Sequence, residues 1–389
     1  MTMQSIERKF FLLIAVIGAL AILSSTLSKT PVLPLFALSL GATAQEIGWI
    51  VIASTVPGIL ISFPAGAIAD MLGKRRVIMA SLVVFATAPL LYLLVTTSWQ
   101  LMAVRFYHGF ATAIFGTVAA AAIAERYPEQ RAAMLSTYSS ATIVGRSIAP
   151  FLGGFLISVA SFQSVYVACA VSGMLALFAG ILLPREVRPK LHGRAMPQFF
   201  SALGTVLGNR DILLTSTVEA AQFLVFGAVE AFLALYAVSV GISAWQIGII
   251  LGIQLISVIA VKPVMGTLSD RWGRRTIILP GLAIGVVSVA AIPFARDVFT
   301  LSFLSLLFGI GFATVTSSTS ALVADLSKQG QFGASIGVLR TIMDVGQTIG
   351  PVLTGFLVAR SGYDVAFTVL AAVLACSAVL FMLGPKRSG

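Results

Sequence analysis

Residues 41–78 read GATAQEIGWIVIASTVPGILISFPAGAIADMLGKRRVI, and residues 241–278 read GISAWQIGIILGIQLISVIAVKPVMGTLSDRWGRRTII. The two segments align without a gap at a spacing of 200 residues, and 11 of the 38 aligned positions are identical. Glycine, aspartate and arginine recur at matching positions, whereas chance identity between two apolar segments would favour leucine, isoleucine and alanine. The sequence therefore predicts an internal duplication of one bundle of helices.

The composition places this duplicated chain in a membrane. Of its 389 residues, 58% are hydrophobic and 10% are charged, whereas a soluble domain carries about 25% charged residues. Its mean hydropathy is +1.01. Apolar runs of about 20 to 28 residues, each long enough to cross roughly 30 Å of hydrocarbon, begin near residues 10, 45, 77, 99, 132, 163, 211, 244, 276, 298, 332 and 363. We predict an all-α membrane protein with twelve transmembrane helices in two pseudo-symmetric six-helix bundles, 1–184 and 211–389, joined by a cytoplasmic linker, 185–210.

The distribution of charge predicts the orientation of the chain. The formal net charge is +11, and 18 of the 25 lysines and arginines fall in the tails and the even-numbered connections. This bias follows the positive-inside rule and predicts cytoplasmic termini for a multi-pass protein of the inner (plasma) membrane. The basic residues therefore indicate topology, and we expect no nucleic-acid partner.

Few residues could support an enzyme, a metal site or a cofactor site. The chain has two cysteines, both in apolar runs, two histidines and no GxxxxGK phosphate-binding loop. A disulfide framework, a metal site and ATP-driven pumping are therefore not expected. We expect a non-enzymatic monomer that has the lipid bilayer and a small-molecule substrate as partners, and that uses the proton gradient instead of a cofactor.

A loop motif occurs twice at the spacing of the repeat. Each copy has a small residue, a carboxylate, a glycine that permits a tight turn, and basic residues before the next helix. The residues are Gly66, Asp70, Gly73 and Arg75 in the first half and Gly266, Asp270, Gly273 and Arg275 in the second. The motif resembles the loop signature of the major facilitator superfamily. The resemblance implies the fold predicted above, and it implies that each aspartate helps to hold a cytoplasmic gate.

Two further motifs resemble the drug:proton antiporter branch of this family. Arg105 and Gly109 match an RxxxG pattern whose arginine the family links to proton coupling, and His108 lies between them. The fifth predicted helix carries a pattern that the family associates with exporters, and the eleventh helix echoes it. Their small residues and prolines also fit close helix packing alone. The motif residues are Gly145, Pro150, Gly153, Gly154, Gly350 and Pro351.

Ionisable groups within the predicted spans are the strongest functional signal, because a charge in hydrocarbon needs a partner or water. Glu219, Gln222, Phe226 and Glu230 follow one another at steps of three and four, which puts them on one helix face. Lys29 and Glu230 lie near the outer ends of two equivalent helices and could pair. Arg340 and Asp344 are i, i+4 neighbours that can also pair. The candidates for proton coupling are Glu219, Asp344, Arg105 and His108. The candidates for lining a substrate cavity are Lys29, Arg105, Arg146, Gln222, Phe226, Glu230 and Arg340.

The duplicated bundle and the ionisable groups within its spans predict a secondary transporter that moves a small amphipathic or organic solute by alternating access. The resemblance to the drug:proton antiporter branch implies proton-coupled efflux of the multidrug type, which is the main hypothesis. A proton-coupled importer or facilitator of an organic anion or a sugar is the alternative. The span interiors carry five basic and three acidic residues, and this balance favours anionic or zwitterionic amphiphiles. An intramembrane enzyme is not expected, because His108 has no evident nucleophile as a partner.

Overall fold

The computed structural model describes residues 3–184, 208–327 and 332–384. Within these ranges the chain forms α-helices and one short 3-10 turn, Ile292–Phe294, with no strand. The helices are α1 (Met3–Leu27), α2 (Val32–Ser39), α3 (Ala44–Ile52), α4 (Thr55–Leu72), α5 (Lys74–Tyr92), α6 (Ser98–Arg126), α7 (Arg131–Val159), α8 (Phe162–Ile181), α9 (Arg210–Ser239), α10 (Ala244–Trp272), α11 (Arg274–Ala291), α12 (Val298–Leu326) and α13 (Phe332–Leu383). Most of the predicted linker, 185–207, lies outside the described residues.

The observed helices match the predicted spans, with differences at three breaks. The first span is divided between α1 and α2 at residues 28–31. The second span is divided between α3 and α4, because the chain leaves the helix at Ala53 and Ser54. The eleventh and twelfth spans appear as one helix, α13, with a break at Gly362, where φ is 80°. In the part of the chain that the structure describes, ten helical segments are long and apolar enough to cross a bilayer. One of these segments, Gly337–Leu383, contains two spans, and the divided second span, α3 and α4, is not among the ten. With both counted, the described chain agrees with twelve crossings.

The chain separates into two compact units. The N-terminal unit contains Met1–His192 together with Ser243–Gly248, and the C-terminal unit contains Gly193–Ile242 and Ile249–Gly389. In the N-terminal unit, a core of fully buried apolar side chains joins the helices, among them Ile17, Leu82, Phe85 and Phe115. Because lipid is as apolar as such a core, van der Waals packing and close helix approach stabilise the bundle.

The duplication is visible in the backbone as well as in the sequence. Gly73 and Gly273, 200 residues apart, each join two helices with φ of 92° and 90°. These values lie in a region that residues with a side chain rarely adopt, which explains the glycine at both positions. The two spans that precede these turns, α3 with α4 and α10, also begin alike. Thr43 caps α3 through Glu46, and Ser243 contacts Gln246 at the start of α10 with a hydroxyl–amide distance of 2.9 Å.

Close contacts between helix backbones also occur at equivalent places in both units. They explain the glycines of the exporter-like motif. A side chain on Gly145 of α7 would overlap the Ala19 carbonyl oxygen of α1, and one on Gly346 of α13 would overlap the Ala220 carbonyl oxygen of α9. Gly350, one turn after Gly346, lies against the Leu224 carbonyl oxygen in the same manner. In both units these glycines therefore allow two helix backbones to touch.

The remaining motif residues of α7 and α13 also lie in packed positions. Gly153 lies against Val32 and Leu27, and Gly154 lies against Gly248 of the same unit. Pro150 and Pro351 are both buried inside their helices. The close packing that the motif predicts is therefore present in the structure.

Candidate functional site

The two copies of the loop motif form the same ion-pair arrangement. In the first copy, the Lys74 ammonium lies 3.4 Å from the Asp70 carboxylate and also contacts Glu125 at the end of α6. In the second copy, the Arg274 guanidinium contacts Asp270 and lies 2.9 Å from the Asp325 carboxylate at the end of α12. Each basic residue therefore connects the turn to a distant helix of its own unit.

The arginine of each motif binds the end of the last helix of its unit. Arg75 donates hydrogen bonds to the carbonyl oxygens of Leu183 (2.8 Å) and Ile181 (2.9 Å). Arg275 donates to the carbonyl oxygens of Phe381 (2.8 Å) and Gly384 (3.2 Å). The last carbonyls of a helix lack partners within the helix, and an arginine is suited to bind them. The aspartate and the two basic residues thus tie three helix ends together.

A buried basic cluster lies inside the N-terminal unit. Arg105 of α6 is 3% exposed and His108, on the next turn, is 2% exposed. The Arg105 guanidinium donates to the Ser54 hydroxyl at 2.7 Å, at the break between α3 and α4, and reaches the Tyr92 hydroxyl at 3.5 Å. The Tyr92 hydroxyl lies 3.4 Å from Nδ1 of His108, and the Tyr92 ring stacks on Tyr166 at 4.4 Å between centroids. We call these five residues the basic cluster.

A buried carboxylate lies inside the C-terminal unit. Glu219 of α9 is 2% exposed and accepts a hydrogen bond from the Thr319 hydroxyl of α12. Lys262 of α10 is close enough for its charge to act on the Glu219 carboxylate. Of the proposed proton carriers, Glu219 is therefore buried, hydrogen-bonded and near a cation.

The predicted face of α9 has an aromatic surface next to this acid. Phe226 stacks on Phe312 at 4.4 Å between ring centroids, and Phe223 meets the same ring edge-on at 5.0 Å. Phe308 stacks on Phe226 at 6.4 Å. Glu219 is one turn of helix from Phe223, so the carboxylate lies on the same side of α9 as the nearest of the four rings.

Gln222 belongs to the predicted face, but its side chain lies near α11. A methyl group added at Gly285 of α11 would lie 3.8 Å from the Gln222 amide nitrogen. The Gln222 side chain is fully buried, and neither of its amide atoms has a hydrogen-bond partner within the described residues.

The other charged candidates are more exposed. Asp344 is half-buried and Arg340 exposed on α13. Arg340 acts electrostatically on Asp344, although no ion pair joins the two among the described contacts. Arg146 is exposed on α7. Lys29 and Glu230 are half-buried, belong to different units and both make polar interactions; their pairing stays a prediction.

Several residues of these clusters were not predicted from the sequence. They are Ser54, Tyr92, Tyr166 and Thr319 in the buried clusters and Glu125 and Asp325 at the loop motifs. Glu125 and Asp325 had a usable signal, because they are acids 200 residues apart. Within the described ranges, no three histidine, cysteine or acidic residues are grouped to hold a metal ion.

Comparison with known proteins gives a consistent result. The family profile of the Major Facilitator Superfamily matches residues 14–254 and 220–388. The quinolone resistance protein NorA of Staphylococcus aureus is 26% identical over 335 residues, covering 84% of this chain and 84% of NorA. The multidrug resistance protein MdtG of Enterobacter lignolyticus is 24% identical over 369 residues, covering 92% of this chain and 88% of MdtG.

Solved structures show the same fold. The crystal structure of the nucleoside transporter NupG superposes with a TM-score of 0.82 at 15% identity, covering 97% of this chain and all of NupG. The predicted fold class, an all-α membrane protein of two six-helix bundles, is confirmed by this likeness and by the family match.

Proposed function

The chain belongs to the Major Facilitator Superfamily of transporters, and we propose that it exports a small amphipathic solute in exchange for protons. The exchange takes place across the cytoplasmic membrane, with both termini in the cytoplasm. The protein acts as a monomer and needs no cofactor, because the proton gradient supplies the energy. Rocking of its two halves gives a midplane site alternating access to the two sides of the membrane.

The observation that carries this proposal is the carboxylate of Glu219 beside the aromatic surface of α9. A carboxylate that is removed from water favours its neutral form, whereas a hydrogen-bond donor and a nearby cation favour the charged form. Glu219 has all three influences, since it is buried, bonded to Thr319 and near Lys262. Small shifts in these surroundings therefore load or release its proton.

The aromatic rings suggest the class of solute. Phe223 and Phe226 are half-buried, and the buried rings of Phe308 and Phe312 support them. Flat apolar surfaces of this kind bind ring systems and alkyl chains. Solute bound there and a proton bound at Glu219 stabilise opposite-facing states, which couples the two movements. The resistance proteins NorA and MdtG are relatives over most of the chain and support efflux of this kind.

The test measures proton movement driven by solute. The purified protein is reconstituted in liposomes with an imposed pH gradient, and a panel of anionic, zwitterionic and cationic amphiphiles is added while a pH-sensitive dye reports proton flux. We expect at least one class of amphiphile to dissipate the gradient with wild-type protein. Glu219→Gln keeps the shape and the hydrogen bond from Thr319 but cannot ionise, so it should abolish this proton flux.

A matched control uses an exposed acid. Glu129 is exposed in the connection before α7, and Glu129→Gln should leave proton flux unchanged. Retained coupling in Glu219→Gln would transfer the role to Asp344, which the same assay tests as Asp344→Asn. If an inward proton gradient instead drives accumulation of an organic anion or a sugar, the protein is an importer and the proposed direction is wrong.

A further inference from the structure

The basic cluster of the N-terminal unit has a buried positive charge without a carboxylate partner among the described residues. The two hydrogen-bond partners of Arg105 are the neutral hydroxyls of Ser54 and Tyr92. No acidic side chain of the described chain forms an ion pair with Arg105. An unpaired guanidinium buried within a membrane is costly, and such groups are normally paired or bound to a ligand.

Three further hydrogen-bonding atoms of this cluster are also unused. Nε of Arg105, Nε2 of His108 and the hydroxyl of Tyr166 are buried and have no partner among the described residues. Leaving a buried donor unpaired costs about 1–3 kcal/mol. One of these atoms belongs to the Arg105 cation and the other two lie within reach of its charge, which indicates that a component outside the described residues completes the cluster.

The hydrogen-bonding pattern shows that all three atoms can act as donors. An arginine can only donate, so the Tyr92 oxygen accepts from Arg105 and the Tyr92 hydrogen is available to Nδ1 of His108. With Nδ1 as an acceptor, Nε2 of His108 carries a hydrogen. The Arg105 Nε and the Tyr166 hydroxyl carry hydrogens in any case. A component that binds all three atoms as donors is therefore an acceptor, and the charge of Arg105 favours an anion.

The second half of the chain shows that packing does not require this cluster. At a spacing of 200 residues, Arg105 corresponds to Ser305, His108 to Phe308 and Tyr92 to Ile292. The helix contact beside the cluster is nevertheless the same in both units. A side chain on Gly109 would overlap the Ser54 carbonyl oxygen, and one on Gly309 would lie 2.6 Å from the Gln254 carbonyl oxygen. Helix packing therefore does not need these basic side chains, and this favours a role in binding a ligand.

We propose that Arg105, His108 and Tyr166 form a binding site for one small monovalent anion, a halide or a carboxylate group, inside the N-terminal unit. Both ligands present a compact negative charge with several acceptor positions. The halide would come from the medium, whereas the carboxylate would belong to a bound solute. Because the site lies within one bundle, it does not depend on the proton exchange proposed above.

The test is equilibrium binding of radiolabelled chloride and radiolabelled acetate to the purified, detergent-solubilised protein, with bulky gluconate keeping the ionic strength constant. We expect saturable binding of about one anion per chain. Arg105→Gln should weaken binding at least tenfold, whereas Arg360→Gln, which changes an exposed arginine, should bind like the wild type. If acetate binds and displaces chloride, the site accepts a carboxylate as well as a halide. If only chloride binds, the site is specific for a halide.

A second variant keeps the test decisive if Arg105→Gln does not fold. Tyr166→Phe removes one unused hydroxyl without changing the ring that stacks on Tyr92, so it should fold normally and weaken binding severalfold. The proposal is overturned if neither anion binds saturably, if Arg105→Gln binds like the wild type, or if Tyr166→Phe leaves the affinity unchanged. No gradient is used, so a failure here does not affect the test of proton exchange.

Discussion

Thr319 and Glu219 are joined by a hydrogen bond between α12 and α9, and the Thr319 hydroxyl is also 2.9 Å from the Val315 carbonyl oxygen. A hydroxyl has one hydrogen and two acceptor positions. When Glu219 is ionised, Thr319 can donate to the carboxylate. When Glu219 is protonated, Thr319 can donate to Val315 and accept the carboxyl hydrogen instead. One side chain therefore suits both states of a proton carrier.

This double role predicts the effect of changing Thr319. Thr319→Val keeps the volume and removes both kinds of hydrogen bond, and a bond to a charged group contributes about 1.5–3 kcal/mol. We expect solute-driven proton flux in liposomes to fall about tenfold or more. Thr319→Ser retains the hydroxyl and should keep most of the flux. Equal flux in the valine and serine variants would show that the hydroxyl has no part in coupling.

The duplicated loop motif predicts that Lys74 tolerates arginine. Arg274 has the equivalent position and contacts two acids in the same way, so Lys74→Arg should transport solute at close to the wild-type rate. Lys74→Met removes the bridge between Asp70 and Glu125 and should lower the rate severalfold. Its effect on stability should be at most about 1 kcal/mol, because both acids are about half exposed.

The measurement for Lys74 compares transport rates in liposomes that contain equal amounts of protein, with thermal unfolding in detergent as the control for stability. If Lys74→Met transports as fast as the wild type, the bridge only orients the chain in the membrane. If Lys74→Arg is as slow as Lys74→Met, the two motifs are not equivalent.

The hydrogen bonds of Arg75 predict that its substitution lowers the stability of the protein, independently of transport. Arg75→Gln removes two hydrogen bonds to the last carbonyls of α8 and should lower the unfolding free energy by about 1–2 kcal/mol. The side chain of the neighbouring Arg76 is exposed and makes no hydrogen bond within the described part of the chain, so Arg76→Gln is the matched control. Thermal unfolding in detergent should separate the two variants, and an equal midpoint for both would contradict the structural role of Arg75.

The sequence was sufficient for the fold but not for the neighbours of each buried group. Apolar runs and the repeat at 200 residues predicted the spans, and the loop motif predicted which glycines turn the chain. Periodicity placed Glu219 and Gln222 on one face of α9, yet Glu219 bonds to α12, whereas the Gln222 side chain lies near α11. Which helix covers which part of a face depends on packing across the bundle, and spacing along one helix does not contain that information. The break at Ser54 was not predicted, because neither proline nor glycine occupies that position.

The close contact of α13 with α9 predicts a steric effect at Gly350. A side chain there would overlap the Leu224 carbonyl oxygen, and backbone atoms cannot move aside as a flexible side chain does. Gly350→Ala should therefore separate the two helices and lower the unfolding free energy by about 1–3 kcal/mol.

The matched control is Gly116 of α6, which is exposed and has nothing within 4 Å of an added methyl group. Gly116→Ala should leave stability unchanged or raise it slightly, because alanine favours the helix more than glycine does. Thermal unfolding of both variants in the same detergent makes the comparison, and a midpoint for Gly350→Ala at or above that of the wild type would show that α13 and α9 can separate without loss.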